Sequence, residues 1–281
     1  MKKLLIALLA AGAVAAGAEG FQFKWKTVPM DGSRTGVTIP TADNAADAIG
    51  TVSKGVYTAP NGKVYKGGST PAVAQLMLDA QPSMAPVKEV IGYSDEEMTR
   101  RPPQCALSNW FIDILMELTE TASGKPVDIG IYNFGGIRCD MPAGQVTVDD
   151  IMSMFPFNNY PTYVALKGSD VKAIFDFMAE THPQVVGGVQ FVVKDHKTES
   201  LLVGGRPLDP KKTYGVATID FLLNGGDGLK IAKNAEELII TDKKVSDVLI
   251  PYIKQMTAEG KTIHGSVDDR VTILKEEEES K

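Results

Sequence analysis

The sequence predicts an α/β chain of α+β character with mixed sheets, on three observations. From about residue 85 onward, short β-branched runs alternate with segments whose apolar residues recur at helical spacing. Some apolar runs flank tight polar turns, which places antiparallel hairpins among the helical crossovers. No segment repeats another, so the chain is not a repeat array.

Taken in order, the chain opens with Lys2 and Lys3, an apolar run over 4–16, and the small-x-small triplet Ala16-Gly17-Ala18. This pattern predicts a secretory signal peptide over 1–18, too short to span a bilayer comfortably. Residues 19–80 read as an extension lying on the main domain, without a core of its own. Its hairpin runs over 57–65 around Asn61-Gly62, and a helix starts near Thr70-Pro71. The main domain covers 81–273. A strand is predicted over 87–92, after the prolines Pro82 and Pro86. A helix follows over 107–121, with Ser108 or Asn109 near its start and Gly124 past its end. Next come a buried strand over 127–132 and a helix over 148–154 capped by Thr147. A strand over 162–166 leads to a helix over 171–180 capped by Ser169. Runs 189–194 and 201–203 flank an Asp195-His196-Lys197 turn, and 214–218 is a further strand. The last helix, 245–258, contains Pro251, which should kink it. Residues 274–281 form a charged tail.

Composition bounds function. The 281 residues carry a formal charge of −6, which becomes more negative once the signal's lysines are removed. An acidic surface argues against a nucleic-acid polymer as partner, which needs a basic footprint. After signal removal no long apolar segment remains, so no membrane contact is expected. Two cysteines, Cys105 and Cys139, are too few for a disulfide framework, though one bridge is open to them in an oxidising compartment.

Four segments carry candidate chemistry. Asn133-Phe134-Gly135-Gly136-Ile137-Arg138 follows a strand directly. Its paired glycines let backbone approach a ligand, and Arg138 offers a planar fork for carboxylate or phosphate. The same residues also suit a plain turn with a surface arginine. In Phe155-Pro156-Phe157-Asn158-Asn159, Phe155 reads as core; Phe157 suits either core or an aromatic face on a loop. Phe221-Leu222-Leu223-Asn224-Gly225-Gly226-Asp227-Gly228 places one acid in a glycine-rich loop. That acid fits the acceptance of two vicinal hydroxyls or a purely structural turn; the spacing is not that of an EF-hand. Arg100-Arg101-Pro102-Pro103 is the fourth.

In order and spacing, Asn133 to Arg138, Pro156-Phe157-Asn158, Leu166-Lys167-Gly168 and Phe221 to Gly228 resemble the motif series of the 5′-nucleotidase C-terminal domain family, over about residues 85–272. The resemblance implies a layered α/β domain with mixed sheets that binds a nucleoside or nucleotide. It implies that Phe157 and Phe221 sandwich the base and that Asp227 holds the ribose hydroxyls. Asn133, Gly136 and Arg138 then belong to the segment contacting ribose and its substituents. Arg101 lies eight residues before Asn109, where the family often has a further substrate-binding arginine; a one-residue shift would put Arg100 there. Phe134 stands where the family usually has glycine, and Asn158-Asn159 replaces a commoner glycine.

A full 5′-nucleotidase also needs a two-metal centre built from many histidines and aspartates. This sequence has three histidines, His182, His196 and His264, none with a companion at ligand spacing. The expectation is therefore a chain without catalytic residues, metal ligands or cofactor of its own. It would be the nucleotide-binding half of a split periplasmic or secreted hydrolase acting in nucleotide catabolism, divalent metals residing in a separate metallophosphatase chain. The alternative is a stand-alone nucleoside- or nucleotide-binding protein.

Overall fold

The structure, a computed structural model, describes residues 32–41 and 43–274. The predicted signal peptide lies outside them, as does the charged tail from residue 275. The chain divides between Ala80 and Gln81 into two compact units.

The first unit holds a short helix α1 (Ala45–Ile49) and an antiparallel sheet of β1 (Thr51–Ser53), β2 (Val56–Thr58) and β3 (Val64–Lys66). The β2–β3 hairpin turns at Asn61-Gly62, with Tyr57 opposite Tyr65. Tyr57, Ala59 and Ala74 pack together, so these residues have a small apolar cluster of their own where the sequence suggested none. The Tyr57 hydroxyl donates to the Ile49 carbonyl at 2.6 Å, tying α1 to the hairpin. Helix α2 (Ser69–Met84) continues through Pro82, which forfeits a backbone hydrogen bond in the helix's last turn.

The second unit is built on two sheets. The larger has five strands in the order β13-β7-β12-β5-β8: β13 (Glu237–Ile240), β7 (Pro161–Lys167), β12 (Thr213–Ile219), β5 (Ile129–Tyr132) and β8 (Val185–Gly187). Only β12 and β5 run parallel; the other neighbours are antiparallel. The second sheet has the order β11-β10-β9-β14, from β11 (Arg206–Pro207), β10 (Lys197–Val203), β9 (Val189–Lys194) and β14 (Val271–Leu274). A two-stranded ribbon joins β4 (Val90–Ser94) and β6 (Gly144–Thr147). Helix α3 (Ala106–Ser123) packs across β5, β7, β8 and β12, and α5 (Gly168–Glu180) packs on β7 and β10. The remaining helices are α4 (Val148–Met154) and α6 (Val245–Ala258), which continues past Pro251. One apolar core joins these layers, including Phe111, Tyr132, Phe155, Phe175 and Phe191.

This is the mixed α/β architecture the sequence implied, with local differences of physical origin. Helix α3 starts one residue earlier than expected, at Ala106, capped by Cys105 in a reciprocal box with Ser108. Asn109 lies inside the first turn, its backbone N–H already bonded to the Cys105 carbonyl, and its side-chain amide donates to Gln104 and to the Ser266 carbonyl. Cys105 is buried and Cys139 exposed, and both are free thiols. Helix α5 begins at Gly168 rather than after Ser169, because the Pro210 and Lys212 carbonyls accept its first amides. The strand expected over 87–92 is displaced to Val90–Ser94 by a 3-10 turn at Ala85–Lys88. In the β9–β10 hairpin the turn contracts to two residues, Asp195 and His196, both left-handed, and Lys197 already pairs with Lys194. Thr147 caps α4 as expected, in a box with Asp150.

Arg270 ties the layers together. Its guanidinium grips the Asp113 carboxylate of α3 at 3.0 and 3.2 Å and bonds Asp268. It also reaches the Val186 carbonyl of β8 at 3.4 Å. The hydrogen bonds from Arg270 hold the Asp268 carboxyl below its ordinary range. A lowered carboxyl stabilises the fold above its unfolded value near pH 4, and that contribution fades as pH falls through the folded value. Arg270→Ala is expected to cost about 2–4 kcal/mol in urea unfolding at neutral pH. It should also flatten the wild-type loss of stability below about pH 4, because Asp268 then titrates alike in both states.

Candidate functional site

The site follows from strand direction. Because β5 and β12 are parallel, with Val216 opposite Ile129 and Ala217 opposite Gly130, both strands leave the sheet at the same edge. Strand β7 runs the other way, with Pro161 opposite Ile219, so it enters at that edge. Three loops therefore converge: Asn133 to Arg138 after β5, Phe155 to Tyr160 before β7, and Asp220 to Gly228 after β12. The carboxyl ends of parallel strands are the usual ligand edge of open α/β sheets.

Each loop is fixed by named bonds. The turn after β5 is a 3-10 element over Phe134–Gly136. Its Phe134 amide donates to Gln184 Oε1 at 3.0 Å. Arg100 Nη1 donates to the Phe134 and Ile137 carbonyls at 3.2 and 3.3 Å. Buried Gly136 passes over Tyr132, where a Cβ would sit 2.5 Å from the phenol oxygen. Burial pushes that phenol's pKa up, while its hydrogen bond with Asn159 acts the other way. The middle loop turns on Phe155, which stacks on Phe111 at 4.2 Å in the core. Asp220 joins the second and third loops, accepting from the Tyr160 and Phe221 amides at 2.9 and 3.0 Å. Beyond it Gly226 lies under the Phe221 ring, where a Cβ would come within 2.7 Å of the ring and 2.3 Å of the Phe221 carbonyl. Asp227 adopts a left-handed conformation, φ 48°.

The loops enclose a cleft of about 280 Å³, lined by Asn133, Gly135, Arg138, Phe157, Asn159, Phe221 and Asp227. Phe157 and Phe221 are 45% and 46% exposed, so both rings are presented rather than buried. Asn133 Nδ2 donates to Asp227 Oδ2 at 2.7 Å, joining the first loop to the third. Asn133 Oδ1 is sealed and has no hydrogen-bond partner among the described residues. Arg138 bonds the Gly135 carbonyl at 3.2 Å, with its guanidinium carbon 5.9 Å from the Phe157 ring centre, a cation–π distance. Chemically the cleft offers two apolar ring faces, one carboxylate and one guanidinium.

Of the residues singled out in the sequence, Asn133, Arg138, Phe157, Phe221 and Asp227 come together here. Gly136 instead supports the loop from below. Arg101 is exposed and lines none of this cleft; the neighbouring Arg100 is the arginine bonded to the site's first loop. Phe134 turns away from the cleft, only 7% exposed and packed with the main core. Gly135, one of the paired glycines, lines the cleft as well, and so does Asn159, to which the motif reading gave no site role. Among the described residues no group of three or more His, Cys, Asp or Glu side chains is placed to hold a metal ion.

A layered α/β unit with this loop-edge cleft defines the class. The sequence profile of the 5′-nucleotidase C-terminal domain matches residues 90–234, just over half of the chain, and the chain belongs to that family. Among curated relatives, "Silent protein UshA(0)" of Salmonella typhimurium is 32% identical over 133 residues, 46% of this chain and 24% of the relative. The apyrase of Tabanus yao is 30% identical over 196 residues, 59% of this chain and 35% of the apyrase. Among solved structures, the 5′-nucleotidase precursor of Thermus thermophilus superposes with a TM-score of 0.65 at 24% identity, over 79% of this chain and 46% of that one. The chain thus spans a quarter to a half of the length of these relatives.

The two arginines make a direct comparison. Arg100→Met removes the donor to two loop carbonyls and is expected to lower stability by about 1–3 kcal/mol in urea unfolding. Arg101→Met, with no partner among the described residues, should stay within about 0.5 kcal/mol of wild type.

Proposed function

We propose that this chain is the nucleotide-holding part of an exported 5′-nucleotidase-type hydrolase. The base stacks between Phe157 and Phe221, and the ribose hydroxyls bond Asp227. Arg138 and Asn133 stand at the edge of the sugar. The observation that carries this reading is the pair of half-exposed rings on two loops beside the Asn133–Asp227 hydrogen bond. Aromatic faces hold any planar base, at about 1–3 kcal/mol each, without reading its edges. A carboxylate fixed by one donor keeps acceptor capacity for vicinal hydroxyls.

Hydrolysis of a phosphate ester in this family calls for a two-metal centre. The described residues do not fit one: His182, His196 and His264 belong to no metal-ligating cluster among them. In this reading the metals reside in a metallophosphatase on a separate chain, which meets the cleft at its phosphate side. The role of the present residues is to bind and orient. Among the described residues no helix is long and apolar enough to cross a membrane. The Lys2-Lys3 start and the apolar run before Ala18 support export to the periplasm or medium.

Calorimetry against adenosine, uridine, AMP and their 2′-deoxy forms tests the reading. Phe157→Ala and Phe221→Ala should each weaken binding by about 1–3 kcal/mol whichever base is present. Asp227→Asn should penalise ribonucleosides more than 2′-deoxy analogues. With Mn²⁺ or Zn²⁺ the chain alone should not hydrolyse AMP or UDP-glucose, and turnover should appear when the metallophosphatase chain is added. Failure to bind any nucleoside or nucleotide overturns the assignment. Tight capture with no partner able to release phosphate would make the chain a stand-alone binding protein.

A further inference from the structure

Beyond the base cleft lies a second and larger one, of about 820 Å³. Gly135 and Asp227 line both, and so form the wall between them. On the far side the lining is largely apolar: Pro103, Phe134, Pro183 and Ile273, with His182 and Gln184 as the polar members. Among the described residues neither Lys nor Arg lines it, and Asp227 adds a carboxylate to its wall. A phosphate would find no lysine or arginine there; an uncharged apolar group needs none.

Gln184 sharpens the chemistry. It is 5% exposed, and its Oε1 is engaged by the Phe134 amide. Its Nε2 makes no hydrogen bond among the described residues, which leaves a nearly buried donor for a ligand oxygen. Phe134, held by the same amide bond, supplies a flat apolar surface in place of the glycine usual in the family.

We propose that the site accepts a nucleoside carrying an uncharged apolar acyl group on O2′ or O3′ of the ribose, with the acyl group in this second chamber and its carbonyl facing Gln184. The proposal rests on the nucleoside reading above, which puts the ribose hydroxyls at Asp227 and hence at the wall of the chamber. A group on either hydroxyl passes over Gly135, which has no side chain to block it. The other hydroxyl remains for Asp227.

The probe is 2′(3′)-O-(N-methylanthraniloyl)adenosine, whose fluorescence reports entry into an apolar environment. The wild-type chain should bind it about tenfold more tightly than adenosine, with enhanced emission, through burial of the added ring. An anthraniloyl ester on O5′ should gain nothing, and this comparison needs no variant. Ile273→Asp, checked for folding by its circular-dichroism melt, should bring the ratio of ester to adenosine affinity close to one. The proposal is overturned if the 2′(3′)-ester binds no more tightly than adenosine, if the 5′-ester gains as much, or if folded Ile273→Asp keeps the gain. Adenosine alone reports separately on the nucleoside reading: a chain that binds adenosine but not its ester keeps that reading and loses this one.

Discussion

The parallel pairing of β5 with β12 is the constraint on which the site depends. A parallel pair sends both chains out at one edge, where an antiparallel pair would have put Asn133 and Asp227 at opposite ends of the sheet. With both exits together, a single 2.7 Å hydrogen bond can bridge residues 94 positions apart in sequence. Antiparallel β7 then delivers the Phe155 to Tyr160 loop to the same place. Asp220 locks this loop to the third by accepting two backbone amides, one from each. The cleft is thus a consequence of strand direction, and the loop chemistry refines it.

Two guanidiniums maintain that frame, at different levels. Arg270 works inside the scaffold, where it joins α3, β8 and the start of β14 through carboxylates and a carbonyl. Arg100 works at the site, where it satisfies two carbonyls of a tight turn that has few backbone partners of its own. The planar cation of Arg270 binds acceptors from segments that no ladder connects, whereas Arg100 bonds two carbonyls of a single turn. A lysine in place of Arg270, with one point of charge, could not span the same set.

Much of this was legible in the sequence, and what was not has physical reasons. Long periodic segments such as α3 and α6 declared themselves through their apolar spacing, and Thr147 announced α4. Strands β6, β8 and β13 went unread because each is three or four residues long. In β13, at the sheet edge, partly buried residues alternate with the exposed Leu238 and Ile240, so its apolar content does not mark a buried face. At the site, Asn133, Arg138, Phe157, Phe221 and Asp227 were visible as motif residues. The choice between Arg100 and Arg101 was not, because it depends on which side chain reaches back to the carbonyls of a loop more than thirty residues away. Likewise nothing local in the sequence tells that Phe134 packs into the core while its neighbour Gly135 lines the cleft.

Each aromatic that faces the cleft has a buried apolar partner close by in the chain: Phe155 beside Phe157, and Leu222 beside Phe221. The buried member anchors the loop and the exposed member meets the solvent; under the proposed function, folding and recognition then fall on different residues two positions apart or fewer. The exposed ring can therefore be traded for another side chain while the anchor preserves the scaffold. A lineage carrying this domain is free to change the surface of its cleft long before it risks losing the ability to fold.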